Sequence, residues 1–312
     1  MASNKRIALI NLIINDLLEI KPRSTGDQLY SIEQNVAFFR AAKSVPKYLK
    51  WLFTSARRLN GDRLLEINDI PLKNIDKWDN ELYRGLVGLA RIKRLNFFKP
   101  LIFELATLIE AANRPYLMVE LGAGAMEIDR QLIELLLKKG HKHKTVIVGF
   151  DKSRNAQRIA SENIQSLGKK VTVYHVNNLN ASFLKEITSK TKTLYTVILA
   201  GNNIFELSEI FGAKTFDLAY HSLFRHHMRS TDKVAVDEIL SRIAHIILEF
   251  DGYHSWSVMF PQSITGWQNP VFLNGSIFSN ARYITRGDLK EHAKDKKLLV
   301  EEMGRYLLEV KT

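Results

Sequence analysis

The chain has 312 residues, a net charge of +12 and no cysteine. The missing cysteine excludes disulfides, thiolate metal sites and a cysteine nucleophile, and it is compatible with the reducing cytoplasm, where we expect the protein. No stretch reaches the roughly 18 uninterrupted apolar residues that a membrane span requires. The positive charge favours an anionic partner, which could be nucleic acid, an acidic membrane surface or a phosphorylated substrate.

The first third of the chain carries a helical pattern. Ile10, Ile13 and Leu17 are spaced as on the apolar face of an amphipathic helix, and residues 32–53 repeat that spacing up to a break at Pro46. A further helical stretch covers residues 82–112, bent or broken near Pro100. We predict a helical N-terminal cap region, residues 1–113, ahead of a second domain, residues 114–312. Whether this cap binds substrate or serves only as scaffold stays open.

After Pro115 short apolar runs alternate with helical segments, which is typical of a parallel sheet with helices on both faces. The predicted strands are residues 116–121, 145–150, 171–176, 216–220 and 253–260. The predicted helices between them are residues 127–139, 153–167 and 234–249. The last two strands, residues 298–303 and 305–310, are joined so tightly that they must be antiparallel. The sequence therefore predicts an α/β, Rossmann-like, mostly parallel seven-stranded sheet that ends in an antiparallel hairpin.

The most informative motif lies at the end of the first predicted strand. Residues 120–124 read Glu-Leu-Gly-Ala-Gly, and Asp151 follows the next predicted strand. Glycines at such a turn let the backbone approach a ligand closely, and the following helix offers free N–H groups. An acid at the tip of the second strand can accept hydrogen bonds from both hydroxyls of a ribose. We therefore predict a cofactor that contains a nucleoside; the alternative is a glycine-rich structural turn.

A dinucleotide fingerprint would carry a third glycine three residues after Gly124, where this chain has Glu127. An acidic side chain at the start of the helix would repel a pyrophosphate. The substitution argues against a nicotinamide or flavin dinucleotide and is compatible with a cofactor that lacks phosphate.

With these residues the sequence resembles the class I S-adenosylmethionine-dependent methyltransferases, whose first motif is an acid, a hydrophobe and then Gly-x-Gly. The resemblance spans roughly residue 116 to the C-terminus and implies S-adenosylmethionine as cofactor. Many members of that family carry a further glycine at the position of Met126, so the turn is expected to be shaped differently here. The residues that the resemblance places at the cofactor are Glu120, Gly122, Ala123, Gly124, Asp151 and Lys152.

The resemblance also implies a polar residue that reads adenine after the third strand, and two segments compete for that place. Asn177 and Asn178 follow residues 171–176, whereas Asn202 and Asn203 follow a further strand-like run, residues 193–200. The first pair stands at the usual interval after the second helix, and the second at the usual distance before residue 216. Both pairs stay candidates.

Residues 216–228 contain His221, His226 and His227 and are similar to the fourth motif of the ubiquinone and menaquinone methyltransferases, which often carry a double histidine. By this resemblance, the turn after Tyr220 would face the methionine end of the cofactor and the substrate. Histidine titrates near neutral pH and could remove a proton from an oxygen acceptor. We predict His221 as the catalytic base, with His227 as second choice; the alternative is that these histidines only cap or pack a helix.

These observations favour S-adenosylmethionine-dependent methyl transfer to a small or lipophilic molecule. The alternatives are an RNA or protein methyltransferase, motivated by the charge, and a non-catalytic cofactor-binding protein with this fold. The basic residues are scattered, so we expect at most weak, non-specific binding of nucleic acid. His141 and His143 have no third ligand nearby, so no metal site is expected. Residues 264–267 and 271–283 are aromatic-rich and could line a substrate pocket or cover an edge of the sheet. The sequence does not fix the oligomeric state.

Overall fold

The computed structural model describes residues 2–65, 98–254, 269–302 and 304–312, with single positions between 70 and 87 and residue 267. These residues form two compact units, Met1–Gly85 with Gly252–Glu291, and Leu86–Asp251 with His292–Thr312. In the described part of the chain, no helix is long and apolar enough to cross a membrane.

The first unit begins with three helices, as the apolar spacing predicts: α1 (Ala2–Ile20), α2 (Gly26–Ala41) and α3 (Val45–Thr54). Ile10, Ile13 and Leu17 of α1 are fully buried, which confirms the predicted amphipathic face. Pro46 lies in the first turn of α3, where the missing N–H breaks no helical hydrogen bond. The predicted break at Pro46 is therefore the junction between α2 and α3.

The second unit is built on one sheet of eight strands. The strands are β1 (Tyr116–Leu121), β2 (Thr145–Phe150), β3 (Val171–Val176), β4 (Tyr195–Ala200), β5 (Phe216–Ser222), β6 (Ala244–Gly252), β7 (Lys297–Glu302) and β8 (Arg305–Lys311). Their order across the sheet is β3-β4-β2-β1-β5-β6-β8-β7. The pairings among the first six strands are parallel, and β7 pairs antiparallel with β8. The predicted fold class and its closing hairpin are thus confirmed.

Helices cover both faces of this sheet. In chain order they are α4 (Lys99–Ala112), α5 (Glu127–Lys138), α6 (Arg154–Gln165), α7 (Ala181–Lys190), α8 (Leu207–Ile210) and α9 (Ser230–Ile243). Leu105 of α4, Leu132 of α5 and Ile164 of α6 belong to the core on one face. Leu184 of α7 and Leu240 of α9 belong to the core on the other. The carboxyl ends of the central strands therefore meet at one edge, between two packed layers.

Among the described residues, two more helices follow β6: α10 (Pro270–Arg282) and α11 (Arg286–His292). Leu273, Ile277 and Phe278 of α10 are buried in the core of the first unit, and the ring of Phe278 lies 6.1 Å from that of Phe38. Residues 270–282 are therefore a packed helix and not an irregular cover, and their part in a substrate pocket stays a prediction. Residues 264–266 of the other aromatic segment lie outside the described residues.

The sheet has eight strands where the sequence predicted seven. Residues 171–176 and 195–200 do not compete for one place, because both are strands and β4 lies between β2 and β3. All residues of β4 are buried, as expected for an inner strand, whereas β3 is half-exposed at the edge.

The predicted helix over residues 234–249 and strand over 253–260 are wrong in their boundaries. Helix α9 ends at Ile243, and the chain turns directly into β6, which extends to Gly252. The run Ile246-Ile247-Leu248 fits either a buried strand or a buried helix, so periodicity alone did not separate them. Residues 255–260 of the predicted strand lie outside the described residues.

The boundaries of the two compact units differ from the boundary of the predicted domains. The predicted domain boundary after Asn113 stays a prediction. Helix α4 belongs to the sheet unit because Leu101 and Leu105 pack in the core that contains Met118. Helix α10 belongs to the first unit because its apolar side chains pack with those of α1–α3.

Candidate functional site

The loop after β1 has the backbone that its glycines predict. Gly122 and Gly124 have φ values of +65° and +52°, in the left-handed region that side chains other than glycine rarely adopt. The N–H of Ala123 donates to the carbonyl of Phe150 at 3.0 Å and fastens the loop to the end of β2. The loop leads into α5, which begins at Glu127.

Phe224 covers one side of this loop. A Cβ atom placed on Gly122 would lie 2.2 Å from Cδ2 of the Phe224 ring, so no side chain fits there. The residue before Phe224 has an unusual backbone conformation, because Leu223 has a φ of +51°. The N–H of Leu223 donates to the carbonyl of Phe250 at 2.8 Å. Non-glycine residues in this conformation cost on the order of 1 kcal/mol and cluster at functional sites.

Met126 also adopts the left-handed conformation, with φ 48° and ψ 36°, at the position where the resembled family often carries glycine. Its side chain is buried, and its sulfur and methyl group lie beside Gly149 of β2. Met126 thus takes a backbone conformation that glycine favours, and packing of its buried side chain offsets the backbone strain. The expectation that this turn is shaped differently from that of the resembled family stays a prediction.

Asp151 joins the ends of β1 and β2. Its Oδ2 accepts the N–H of Gly124 at 2.8 Å, and its Oδ1 accepts the N–H of Ser153 at 2.8 Å. Asp151 therefore fixes the glycine loop to the end of β2. Lys152 is exposed beside it.

A groove of about 410 Å³ lies between α6 and the edge strand, lined by side chains that include Arg154, Gln157, His175 and Asn177. The amide of Gln157 donates to the carbonyl of Asp151 at 2.7 Å, which places the groove next to that carboxylate. The sequence analysis missed Gln157; a polar residue one turn into the helix after Asp151 was the available signal.

The two asparagine pairs have different roles. Asn202 follows β4, the strand next to β2, but its Oδ1 accepts the N–H of Leu179 and its Nδ2 donates to the carbonyl of the same residue. Asn203 caps the following turn through the N–H of Phe205. Asn177 is exposed and lines the groove, and Asn178 is exposed beside it. The strand order favours Asn202, whereas the hydrogen bonds favour Asn177 as the side chain open to a ligand.

Glu120 points into a buried acidic cluster with Asp129 and Tyr220. All three side chains are buried, and the Tyr220 hydroxyl donates to Asp129 Oδ1 at 2.5 Å. Burial, reinforced by the charge of Asp129, raises the pKa of Glu120 well above its usual range. Burial also raises the pKa of Asp129. The predicted contact of Glu120 with the cofactor stays a prediction; its observed neighbours lie beneath the loop.

Glu127, the residue that argues against a dinucleotide, is not an isolated charge. Arg130 donates to Glu127 Oε1 through Nη2 at 2.8 Å and through Nε at 2.9 Å. The pair lowers the net repulsion that a phosphate would meet at this helix start. The electrostatic argument against dinucleotides is therefore weaker than the sequence suggested.

His221 is buried at the end of β5, opposite Glu249 of β6. Burial lowers its pKa, so the ring is neutral near pH 7. Its Nδ1 is buried and has no hydrogen-bond partner among the described residues. Such an orphaned ring nitrogen is costly, and a ligand that donates or accepts there would relieve the cost.

The histidine with a carboxylate partner is His226, which the sequence analysis did not choose. Its Nδ1 lies 2.7 Å from Asp251 Oδ1, and its backbone N–H donates to Asp251 Oδ2 at 3.1 Å. A carboxylate on Nδ1 holds the proton there and leaves Nε2 as the basic nitrogen. The ring of His227 lies 3.9 Å from that of His226. Asp251 was missed because the sequence analysis placed the strand after it.

Glu249 is buried below these histidines and lies among cations. Burial alone would raise its pKa, but the hydrogen bond from His292 and nearby positive charges, including Lys296, hold that pKa well below the usual range. Tyr306 donates its hydroxyl to Glu249 Oε1 at 2.7 Å. This ionised carboxylate ties β6 to β8 and sets a negative charge next to His221.

Within the described residues, no three His, Asp or Glu side chains are grouped so that they could hold a metal ion. His143 Nε2 instead lies 3.0 Å from the side-chain oxygen of Asn113.

The fold is similar to solved methyltransferase structures at low sequence identity. Magnesium protoporphyrin IX methyltransferase from Synechocystis PCC 6803, with bound SAH, is 12% identical, with 73% of this chain and 84% of that chain covered at a TM-score of 0.40. A SAM-dependent methyltransferase from Aquifex aeolicus is 15% identical, with 73% and 96% covered at a TM-score of 0.44. The plantazolicin methyltransferase BpumL is 10% identical, with 76% and 96% covered at a TM-score of 0.43. No family model and no curated protein matches the chain. Since these TM-scores are below 0.5, the strand order and the site geometry carry the arguments that follow.

Proposed function

We propose that this protein binds S-adenosylmethionine at the carboxyl edge of its sheet and transfers the methyl group to a small or lipophilic acceptor. One observation carries the proposal: Asp151 at the end of β2 accepts the N–H of Gly124 from a left-handed glycine loop at the end of β1. This pairing of a ribose-binding acid with an open backbone loop suits a nucleoside cofactor.

The residues at this edge fit S-adenosylmethionine. Asp151 would accept both ribose hydroxyls, since a carboxylate offers about four acceptor positions. Asn177 and Gln157 line the groove next to it, where amides can read the edge of adenine. Gly122 and Phe224 would lie towards the methionine end, with the ring excluding water from the loop. The bound cofactor would supply a methyl group on a sulfonium, which carries a positive charge and no phosphate.

The chain's own part in such a reaction is alignment and proton removal. Methyl transfer is an in-line displacement, so most of the catalysis comes from orientation of the acceptor. His226, with Nδ1 held by Asp251, has the geometry of a base that accepts a proton at Nε2. His221, the predicted base, is neutral and buried and would act as a hydrogen-bond partner at the methyl-transfer end. His227 stays a second-choice base.

Calorimetric titration with S-adenosylmethionine tests the proposal. Asp151→Ala is expected to weaken binding by about 1.5–3 kcal/mol, which is the scale of losing charged hydrogen bonds to a ribose diol. Glu186→Ala, which removes an exposed carboxylate from α7, away from the groove, is the matched control and should bind like the wild type. Urea unfolding of each variant shows whether the loop anchored by Asp151 has stayed folded. No binding by the wild type at millimolar cofactor, or unchanged affinity in a folded Asp151→Ala, would contradict the proposal.

An RNA or protein acceptor is the alternative that the net charge of +12 motivates. Contacts to several phosphates would make RNA affinity fall by roughly 0.7–0.9 log units per contact for each log unit of salt. We expect only weak, non-specific RNA binding in a gel-shift titration at low and at physiological salt. Sequence-selective binding below micromolar that survives physiological salt would favour the RNA alternative.

A further inference from the structure

Helix α3 carries an apolar stripe that the first unit does not bury. Val45, Leu49 and Phe53 stand four residues apart on one face of the helix and are 49%, 36% and 50% exposed. The apolar residues next to them in the helical projection, Tyr48 and Leu52, are buried in the core. The apolar face of α3 is thus wider than the part of it that packs in the core. The remaining apolar side chains are partly exposed to solvent.

The same part of the chain carries positive charge without any acid. Between Glu33 and Asp62 the sequence has six basic residues and no Asp or Glu. Lys43, Lys47 and Lys50 are exposed. Lys43, just before the helix, and Lys50, next to Phe53 in the helical projection, flank the stripe, whereas Lys47 lies on the far side of the helix. In the part of the chain that the structure describes, none of these three lysines forms an ion pair with a carboxylate. The charge around the stripe is therefore available to an anionic partner.

This combination suits one kind of surface. A helix with exposed bulky apolar side chains and a lysine-rich flank binds in the plane of a membrane, its apolar side chains among the acyl chains and its cations among anionic headgroups. Long lysine side chains can reach the headgroups while their stems cover apolar surface. A nucleic acid would use the lysines but would leave three aliphatic and aromatic side chains in water. A second copy of this chain would bring the same positive charges together.

We propose that α3 is a peripheral membrane-binding helix, which holds this unit on bilayers that contain anionic phospholipids through Val45, Leu49, Phe53 and the flanking lysines. The inference rests on the exposed stripe and its charge and is independent of the proposed methyl transfer. A lipophilic acceptor dissolved in such a bilayer would then be supplied at the surface where the protein resides.

Vesicle flotation of the full chain tests the inference. We expect binding to vesicles of phosphatidylcholine with phosphatidylglycerol, and little binding to vesicles of phosphatidylcholine alone. Lys43→Glu/Lys50→Glu should weaken binding by about tenfold or more, because each lysine near an anionic surface contributes roughly a fivefold gain in affinity. Leu49→Ser/Phe53→Ser should lower binding at physiological salt, where the electrostatic part is screened.

Matched controls lie in the other unit. Phe183→Ser changes an apolar side chain that is also 36% exposed, and Lys169→Glu/Lys170→Glu reverses two exposed lysines. Both controls should float like the wild type. Because the substituted side chains are exposed, circular dichroism and urea unfolding should match the wild type for every variant.

Three results would overturn the inference: no flotation of the wild type with anionic vesicles, equal flotation with neutral vesicles, or α3 variants that float like the controls. If sedimentation shows that the wild type is a dimer and that Leu49→Ser/Phe53→Ser is a monomer, the stripe would instead be a contact with a second copy of the chain. Loss of binding to a duplex RNA in Lys43→Glu/Lys50→Glu but not in Leu49→Ser/Phe53→Ser, with no vesicle binding by the wild type, would assign the lysines to nucleic acid.

Discussion

Glu120→Gln tests whether the acid of the glycine motif is neutral in the folded protein. Burial, together with the charge of Asp129, raises the pKa of Glu120 well above its ordinary 4.5. A carboxyl group whose pKa is raised by folding stabilises the protein below the unfolded pKa and loses that contribution as the pH rises towards the folded pKa. The folded wild type therefore holds a proton that the unfolded chain has released above about pH 5.

The size of the effect follows from one proton. Each pH unit in that window costs the wild type about 1.4 kcal/mol of stability, so the cost between pH 5 and pH 7 reaches at most about 2.7 kcal/mol. Glutamine has the same shape, carries no proton to lose, and its amide nitrogen can donate to the unpartnered Oδ2 of Asp129. Burial also raises the pKa of Tyr220 well above its ordinary value, so its hydroxyl still donates to Asp129 in both proteins.

Urea unfolding at pH 5, 6 and 7 is the assay. The free energy of unfolding of Glu120→Gln should rise relative to that of the wild type from pH 5 to pH 7, by up to about 2.7 kcal/mol. Glu134→Gln on α5 is the control, because the hydrogen bond from Lys138 lowers the pKa of Glu134 and keeps it ionised throughout this range. Parallel pH curves for the wild type and Glu120→Gln would refute the conclusion that Glu120 is buried as a neutral acid.

Two further predictions concern the histidine pair and the asparagines. In nitrogen-15 NMR, the His226 ring should carry its proton on Nδ1, and Asp251→Asn should weaken that preference because the carboxylate partner is lost; an unchanged ring spectrum would remove the orienting role of Asp251. Asn202→Ala should destabilise the fold by about 1–3 kcal/mol, since it breaks two hydrogen bonds to one backbone segment. Asn177→Ala should leave stability unchanged and weaken cofactor binding, and the reverse pattern would return adenine recognition to Asn202.

Much of the sheet was predictable because its inner strands are short apolar runs bounded by turn residues. The bounds of β1, β2 and the edge strand β3 match the prediction, since each of them is followed by a glycine or a polar residue. The end of α9 was not predictable in this way. There the helix passes into β6 without a glycine or proline, and the same apolar residues satisfy both periodicities.

In the candidate site, too, the features that follow from local sequence were predictable and the others were not. The left-handed angles of Gly122 and Gly124 follow from their residue type, as does the position of Asp151 after β2. The His226–Asp251 pair could not be predicted from local pattern, because it joins a turn after β5 to the end of β6 across the sheet. Its recognition required the correct boundary of β6.

Backbone NMR of the protein titrated with S-adenosylhomocysteine tests the central claim most directly, since it reports where the ligand binds without requiring the acceptor. The claim predicts saturable shifts of the amide resonances of Gly122, Gly124 and Ser153, which lie in or next to the loop fastened by Asp151. Gly140 and Gly168 also have left-handed backbone angles, but they follow the C-terminal ends of α5 and α6. Their amide resonances should not shift. No shifts at millimolar ligand, or shifts confined to residues away from the loop, would contradict the claim that this edge of the sheet holds the cofactor.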